Sequence, residues 1–547
     1  MRVVVIGGVA GGMSAAARLR RLDATAEIIV LERSGNVSYA NCGLPYFVGG
    51  VIQNEESLLL QTPESLHKRF RLDVRVNTEV IEIDKNVKVL TAVDHTSNSQ
   101  FKLTFDKLIL SPGAAPVRPA IPGIERALSL RTVEDVLVLA DSVNKKPKSA
   151  VIIGGGFIGL ELAENFQHRG ISTSIVEASE QVLAPLDPEM VTFVQDELTK
   201  QGVSLYLKNA VTEIKDSTLI LNDGREISAE VVVAAIGVKP EITLAKSAGL
   251  KIGSKGGIEV NEFNQTSDPD IYAVGDAAQK HDALDGSEIL VPLANIANRH
   301  GRIVADHITG KKIRDVAAQA TAIVKIFDLT VATTGWNEKK LKAAGLDYLA
   351  IHTHPASHAG YYPGAQGMSL KLLVDRKTSL ILGAEAVGRE GVDKRIDVIA
   401  TAMRGGITAP ELADLELAYA PPFSSAKDPV NMLGYISENV LSGLTPTAQW
   451  NEVNDLVEKG WIVVDVRSKD EFEKGHIPNS INISIDEIRD RINAVPKEKI
   501  LVTCQVGQRG HAATRLLREM GYNAINLDGG YMTWSNSPAN MKVSEYV

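Results

Sequence analysis

The sequence predicts an α/β protein with two parallel-sheet nucleotide-binding units, then a region of mixed strands and helices, then a separate small α/β domain. Three observations carry this expectation. A glycine-rich turn between a strand and a helix occurs at Gly7–Gly12 and again at Gly154–Gly159, each time followed by a strand that ends in glutamate. Residues 321–441 alternate in polarity but contain no phosphate loop. Near the C-terminus a strand runs into a cysteine loop and a helix.

In the first unit Val3–Ile6 reads as a buried parallel strand, Gly7-Gly8-Val9-Ala10-Gly11-Gly12 as the turn and Met13–Leu22 as a helix with Ser14, Ala15, Ala16 and Ala17 toward the sheet. Glu27–Leu31 is the second strand, ending at Glu32. Glycines at such a turn let backbone N–H groups approach a pyrophosphate at a helix N-terminus. Glu32 follows Gly12 by twenty residues, where a carboxylate accepts from adenosine ribose hydroxyls. Val9 takes the place of the middle glycine of G-x-G-x-x-G, so the flanking strand, helix and acid carry the assignment.

The second unit matches the pattern fully. Ser149–Ile153 is a strand, Gly154-Gly155-Gly156-Phe157-Ile158-Gly159 the turn, Leu160–Arg169 a helix and Ser172–Val176 a strand ending at Glu177. A carboxylate there favours the free 2′-hydroxyl of NADH and repels the 2′-phosphate of NADPH. Two units in one chain point to two nucleotides, one a flavin and one a nicotinamide.

Connecting signals surround these units. Leu108-Ile109-Leu110 leads into the turn Ser111-Pro112-Gly113, and Val231–Ile236 into Gly237-Val238-Lys239-Pro240. Asp270–Asp276 reads as a strand ending in Gly275-Asp276, with a helix expected from Ala277 or later; by itself Asp276 is equally a helix cap or a ligand group. In 321–441, Thr321–Phe327 and Ser369–Val374 read as strands and Glu338–Ala344 and Arg395–Arg404 as helices.

A linker is expected over 442–449, and an independent domain over 450–547. In that domain Trp461–Val466 is a strand, Asp470–Lys474 a short helix and Gly475-His476-Ile477-Pro478 a turn. Lys499–Thr503 leads straight into Cys504, and the loop Cys504–Gly510 precedes a helix at His511–Met520. A sulfur at such a turn faces backbone N–H groups and a positive helix end, which lowers a thiol pKa and stabilises an anionic persulfide. Arg509 adds positive charge nearby.

Bulk properties narrow the classes. At about 150 residues per domain, 547 residues suggest three or four domains. A net charge of −9 gives no reason to expect nucleic acid or an anionic membrane as partner. No apolar run approaches the roughly 18 residues of a membrane span, and Met1-Arg2 opens directly into Val3–Ile6 without the pattern of a signal peptide. The two cysteines lie far apart, so no disulfide framework is expected and a reducing, cytoplasmic setting is the default. Without a CxxC or a His/Cys cluster, no metal site is expected.

One of the two cysteines lies in Ser38-Tyr39-Ala40-Asn41-Cys42-Gly43-Leu44-Pro45-Tyr46, shortly after the first nucleotide unit. With the two glycine turns, Glu32, Glu177, Ser111-Pro112-Gly113 and Thr266–Asp276, the chain resembles the FAD- and NAD(P)H-dependent disulfide reductase superfamily. The stretch at 38–46, Tyr361-Tyr362 and Tyr419-Ala420-Pro421-Pro422 resemble its single-cysteine branch, the coenzyme A disulfide reductases. The tail, with Asp465-Val466-Arg467, Gly475–Pro478, Cys504–Arg509 and Asp528-Gly529-Gly530-Tyr531-x-x-Trp534, is similar to rhodanese sulfurtransferases.

The resemblance implies Rossmann-like domains for FAD (1–112 and 247–320) and NADH (113–246), an α+β dimerisation domain (321–441) and a rhodanese domain (450–547). It also implies the ligands. FAD would be held by Gly7, Gly8, Val9, Ala10, Gly11, Gly12, Glu32, Arg33, Asn41, Cys42, Ser111, Pro112, Gly113, Gly275, Asp276 and Ala294. NADH would be held by Gly154, Gly156, Phe157, Ile158, Gly159, Glu177 and Gly237, and coenzyme A by Arg18, Arg21, Ser38, Asn41, Arg71 and Lys427. Cys42 would be the redox-active cysteine, with its thiol pKa lowered. Tyr361 and Tyr419 would sit near its sulfur, Tyr419 reaching across from the partner of a homodimer.

The implied reaction is NADH-dependent reduction of a sulfur–sulfur bond involving Cys42, with coenzyme A or a persulfide supplying the second sulfur. Cys504, with Arg509, would take sulfane sulfur from polysulfide or thiosulfate and pass it to coenzyme A or Cys42, releasing sulfide after reduction. The rival is an NADH oxidase or peroxidase cycling Cys42 through a sulfenic acid, although similar peroxidases carry histidine where Ala10 stands. A phosphatase-like role for the tail is disfavoured, because its Cys504–Arg509 loop is one residue shorter than the related phosphatase loops.

Overall fold

The computed structural model describes residues 1–540 and divides into two compact units, residues 1–180 with 202–320 and residues 181–201 with 321–540. Residues 541–547 of the expected last domain lie outside the described residues. No helix among the described residues is long and apolar enough to cross a membrane.

In the first unit the run Arg2–Ile6 is the middle strand of a five-stranded parallel sheet. The strand order is Ile271–Ala273, Lys107–Leu110, Arg2–Ile6, Glu27–Leu31, Asp73–Arg75. Val3, Val4 and Val5 are fully buried, as a strand covered on both faces requires. Helix Ala10–Leu22 packs small residues against helix Ala294–Ile308; a Cβ on Gly301 would lie 2.3 Å from the Gly11 carbonyl oxygen. The first helix begins at Ala10, earlier than the expected Met13, because Gly11 and Gly12 complete its first turn. A second parallel sheet orders Ser204–Tyr206, Ser172–Val176, Ser149–Ile153 and Val231–Ala234, with helix Phe157–His168 following the second glycine turn. A single 3₁₀ turn, Gly275–Ala277, follows the strand, and the helix expected from Ala277 or later starts at Ala294.

The second unit holds two sheets. A five-stranded antiparallel sheet orders Ala322–Ile326, Leu329–Gly335, Ile381–Gly388, Met368–Asp375 and Tyr348–Thr353. One face of its strand Met368–Asp375 presents Met368, Leu370, Leu372 and Val374 to an apolar cluster shared with Ile396 and Ile399 of helix Val392–Gly405 and with Val430 and Leu433 of helix Pro429–Leu441. Strand alternation sends Lys371 to the other face, where it meets Asp187 and Glu189 of the segment 181–201. Helix Pro188–Lys200, which falls within the range expected for the second nucleotide domain, therefore belongs to this compact unit. The second sheet is parallel, ordered Thr447–Ala448, Ala524–Leu527, Lys499–Thr503, Trp461–Asp465, Ile481–Asn482. Thr447–Ala448, inside the stretch read as a linker, is thus an edge strand of this sheet. The last long helix is Gln508–Glu519, one turn earlier than its polarity pattern suggested.

Candidate active site

The loop bearing Cys42 is built onto the first glycine turn. Ser38 N–H donates to the Gly8 carbonyl at 2.8 Å, Ala40 N–H to Leu58, and Gly43 N–H back to Ala40, closing a 3₁₀ turn over Asn41–Gly43. Pro45 then starts the short helix Leu44–Val48, which packs on helix Phe157–His168. Cys42 is exposed and lies in the wall of a cavity of about 770 Å³.

The same wall contains Val9, Ala10 and Gly11 from the first turn, Ser111 and Gly113 after strand Lys107–Leu110, Gly275 and Asp276 of the 3₁₀ turn, and Ala294 at the head of its helix. Arg18, Arg21, Ser38 and Asn41 line it as well. Gly7, Gly8, Gly12 and Pro112 belong to the turns behind these residues, and Arg33 is exposed. Arg71 is an exposed, left-handed C-cap that does not line the cavity; Arg69, Phe70 and Arg302 do. Arg18, although in the wall, has its guanidinium paired with the buried Asp306 at 2.8 Å. Lys427 lies in the second compact unit, its ammonium 5.7 Å from the centre of the Tyr435 ring.

Glu32 and Glu177 sit in matching clips. Glu32 accepts from Gly8 N–H at 2.7 Å through one oxygen and from Ser34 N–H and hydroxyl through the other. Glu177 accepts from Gly155 N–H at 2.8 Å and from Ser179 N–H and hydroxyl in the same way. Each carboxylate thereby ties its glycine turn to the end of the neighbouring strand and keeps acceptor capacity. The repeated Glu-x-Ser was available in the sequence, but the serines went unread.

Two features of the turns and the cavity wall suit bound nucleotides. The Asn41 Oδ1 atom is buried in the cavity wall with no protein partner, an orphan acceptor that a bound flavin or substrate donor would satisfy. At Gly156 a Cβ would meet nothing within 4 Å. The requirement for glycine there is not internal packing but open approach, as a pyrophosphate over the helix N-terminus needs. Phe157, Ile158 and Gly159 form the first turn of that helix, Gly154 precedes it with φ +109°, and Gly237 follows strand Val231–Ala234 with φ +102°. The residues present fit both nucleotides.

The electrostatics around Cys42 differ from expectation. Its thiol is pushed up, not down, first by the partial desolvation of the sulfur in the cavity wall, although the residue as a whole is exposed, and then by Glu161, while Arg131 opposes. Glu161 is one turn into helix Phe157–His168 and is itself pushed up to about 7 by burial, against the hydrogen bond it accepts from Tyr46 at 3.3 Å. Arg131 pairs with Asp276 at 2.8 Å, so the cation nearest the site is already engaged. Neither Glu161 nor Arg131 was singled out from the sequence. Glu161 could have been, since it follows Gly159 on the helix face that meets the Cys42 segment; Arg131 carries no local signal. Removing the negative charge with Glu161→Gln is expected to shift the alkylation profile of Cys42 to lower pH, because the thiolate loses its main like-charge neighbour. An unmoved profile in iodoacetamide kinetics would sink this electrostatic assignment.

In the second unit the hydroxyls of Tyr361 and Tyr419 lie 3.0 Å apart, and both rings are exposed, Tyr361 by 76%. Cys504 follows strand Lys499–Thr503, but its side chain is fully buried in an apolar cluster with Val464, Val502 and Leu517. The positive charge expected from Arg509 is committed: its guanidinium grips Glu471 through two hydrogen bonds of 2.7 and 2.6 Å. A second arginine, Arg467, holds Asp465 and donates to Gln505 in the cysteine loop at 3.0 Å.

Residues 1–301 match the pyridine nucleotide-disulphide oxidoreductase model, residues 321–429 the dimerisation domain of the same oxidoreductases, and residues 449–537 the rhodanese-like domain. The chain belongs to the pyridine nucleotide-disulphide oxidoreductase family. Among solved structures, this oxidoreductase is similar to the reduced Bacillus anthracis CoADR-RHD, with 47% identity, a TM-score of 0.96 and 98% of each chain covered. It is also similar to a NAD-dependent persulfide reductase from A. fulgidus, with 37% identity and a TM-score of 0.92 over 98% of this chain and all of the other. The coenzyme A disulfide reductase of Staphylococcus aureus strain JH9 is 36% identical over 440 residues, 79% of this chain and 99% of the relative.

Proposed function

We propose that this oxidoreductase is an FAD-dependent NADH persulfide and coenzyme A disulfide reductase acting through Cys42, with Cys504 of the rhodanese-like domain delivering sulfane sulfur. The observation that carries the reading is the single cysteine. Cys42 lines a cavity large enough for a substrate, beside arginines suited to the phosphates of coenzyme A, and the only other cysteine is the buried Cys504. With no second thiol in its own loop, Cys42 needs the substrate to supply the other sulfur.

FAD, when bound, supplies the two-electron relay between NADH and the sulfur–sulfur bond. The chain's residues do the rest. Arg21, Ser38 and Asn41, with Arg18 beside its Asp306 partner, orient coenzyme A in the cavity that Cys42 lines. Attack by the Cys42 thiolate on the coenzyme A sulfur of a persulfide expels hydrosulfide and leaves a mixed disulfide, which two electrons return to two thiols. The overall change is NADH plus coenzyme A persulfide to NAD⁺, coenzyme A and hydrosulfide. Asp276 would accept from a flavin hydroxyl and Glu32 and Glu177 from the ribose hydroxyls of their nucleotides, with Glu177 favouring NADH. Because Tyr361 and Tyr419 are hydrogen-bonded to each other within one chain, they act as a pair. Supplied by the partner subunit of a homodimer, the pair holds or protonates the sulfur leaving Cys42.

The test of the sulfur-delivery half is Cys504→Ser. The variant is expected to keep its NADH turnover with preformed coenzyme A persulfide and lose it with polysulfide. Undiminished polysulfide turnover would reject the coupling.

A further inference from the structure

The loop that carries Cys504 hangs from a strap whose far end is bolted to the antiparallel sheet of the same compact unit. Tyr531 N–H donates to the Cys504 carbonyl at 2.7 Å and Met532 N–H to the Gln505 carbonyl at 3.0 Å. The strap, Asp528-Gly529-Gly530, lies directly against this loop: a Cβ on Gly530 (φ +64°) would stand 2.4 Å from the Cys504 carbonyl oxygen. Asp528 is 4% exposed; its N–H donates to the Ala448 carbonyl at 3.0 Å, and its carboxylate is held by His352 on strand Tyr348–Thr353. His352 N–H meets both Asp528 oxygens at 3.3 and 3.0 Å, and its Nδ1 meets Oδ2 at 2.6 Å.

The other ring nitrogen of His352, Nε2, lies 3.0 Å from Glu189, whose carboxylate also receives Lys371. His352 is fully buried. Burial works against its charge, but the Asp528 and Glu189 bonds overcome it and hold the imidazole up at about 9, so it is an imidazolium at neutral pH. A second contact runs alongside: His354 bonds Ser369 at 2.9 Å and Thr533 at 2.7 Å. The cysteine loop, its strap and the sheet are therefore joined through the buried His352–Asp528 ion pair and the His354–Thr533 hydrogen bond, and nothing in the expected chemistry of either cysteine uses the ion pair.

We propose that His352 is a positioning residue for sulfur transfer at Cys504, fixing the cysteine loop through Asp528 and the Gly529–Met532 strap. The proposal rests on the reading of Cys504 as a sulfur acceptor. In the step concerned, the Cys504 thiolate attacks the terminal sulfur of a polysulfide. The donor's sulfur–sulfur bond breaks, a polysulfide one sulfur shorter leaves with the electron pair, and Cys504 becomes a persulfide. A coenzyme A thiolate then takes the outer sulfur, regenerating the Cys504 thiolate. Neither transfer needs an external oxidant or reductant, but both need the loop carbonyls held so that the sulfur meets its attacker in line.

The experiment uses the full-length, flavin-loaded protein as His352→Gln, Asp528→Asn, the double variant and Cys504→Ser. NADH consumption is followed anaerobically with polysulfide plus coenzyme A, and separately with preformed coenzyme A persulfide; Cys504 persulfide is followed by mass. Each single variant is expected to lose on the order of tenfold to a hundredfold in polysulfide turnover while staying within about twofold on preformed persulfide, the range that misplacement of a reacting group produces. The double variant, with a neutral amide pair in place of the ion pair, recovers most of the loss. Asp528→Asn, which preserves the shape of the contact, serves if His352→Gln does not accumulate. Unchanged polysulfide turnover in the single variants overturns the positioning role, and so does a parallel loss on both substrates, which marks a general folding defect. If Cys504→Ser itself keeps polysulfide turnover, the sulfur-delivery reading has failed, and the proposal falls with it.

Discussion

Replacing Cys42 by serine is expected to lower NADH-dependent sulfide release from coenzyme A persulfide by on the order of a thousandfold or more, the scale on which loss of a covalent nucleophile acts. A serine hydroxyl is close in size to the thiol, but it cannot form the sulfur–sulfur bond through which the substrate is reduced. The other cysteine does not stand in, because Cys504 belongs to the rhodanese-like domain and does not line the cavity that Cys42 lines. Structure should be little disturbed: Cys42 is exposed on a single 3₁₀ turn, and the neighbouring Leu44 and Leu58, rather than Cys42, make the local core. Flavin content, read from the visible spectrum, should therefore match the parent protein. Two measurements decide the point: sulfide released per NADH, and flavin per chain. Turnover retained in a flavin-replete Cys42→Ser protein would remove Cys42 from the chemistry.

The second large effect is expected at Lys371. Its ammonium is fully buried among Asp187 at 2.9 Å, Glu338 at 2.5 Å and Glu189. Burial pulls Lys371 down, but Glu189, Asp187 and Glu338 outweigh it and hold its pKa well above the usual lysine value. In return Lys371 is the main influence that overcomes burial at Glu338, holding that carboxyl down at about 2, and it holds Glu189 well below the ordinary range. Lys371→Met keeps the stem and deletes the charge, leaving Asp187 without its cation, Glu189 with His352 alone and Glu338 with Lys342 alone. Breaking a buried pair in this way costs about 3–5 kcal/mol.

The pH dependence has a definite sign. Glu189 and Glu338 have folded pKa values below their ordinary value of 4.5, so the stability they contribute is present above that value and is lost as pH falls toward about 2. In Lys371→Met the same carboxyls lose the largest influence that holds them down, and keep only the smaller ones from His352, Tyr348 and Lys342. The deficit is therefore largest near neutral pH and shrinks on acidification, as protonation relieves the uncompensated charge. Native-state hydrogen exchange of the strands Tyr348–Thr353 and Met368–Asp375 reports the local opening free energy without assuming a single unfolding transition. A deficit that does not change between neutral and acidic pH would mean that packing, not charge, holds the cluster.

What could be read from the chain, and what could not, follows from how far apart the cooperating residues lie. The two glycine turns, Glu32, Glu177 and the Cys504 loop are local patterns, each made within a few dozen residues of one strand–helix–strand unit, and their placement in parallel sheets follows from that. The Lys371 cluster is assembled from residues 187, 189, 338 and 371 on separate segments, so neither periodicity nor spacing foretells it. Helix Pro188–Lys200 reads as part of the nucleotide domain by position, yet its first-turn Glu189 is drawn into the second unit by Lys371 and His352. Cys42 shows the limit of reasoning by residue type. A reactive thiol suggests a lowered pKa, but the charge beside it is Glu161, from a helix more than a hundred residues later, and its cation Arg131 is occupied by Asp276. The thiol is set by neighbours that its own loop does not reveal.

The Tyr361–Tyr419 pair is similar. Each tyrosine alone reads as core or interface packing, yet both are exposed, and only their 3.0 Å contact makes them one group. Both tyrosines fall within residues 321–429, which match the dimerisation domain.

The central claim is that Cys42 reduces a sulfur–sulfur bond that includes a substrate sulfur. It is tested most directly by mixing the flavin-loaded protein anaerobically with NADH and, in separate runs, coenzyme A persulfide, coenzyme A disulfide or hydrogen peroxide, and measuring NADH consumed and sulfide released. The account predicts one sulfide per NADH with the persulfide, NADH consumption without sulfide with the disulfide, and negligible turnover with peroxide. Rapid turnover with peroxide and none with either sulfur substrate would contradict it and return Cys42 to sulfenic acid chemistry.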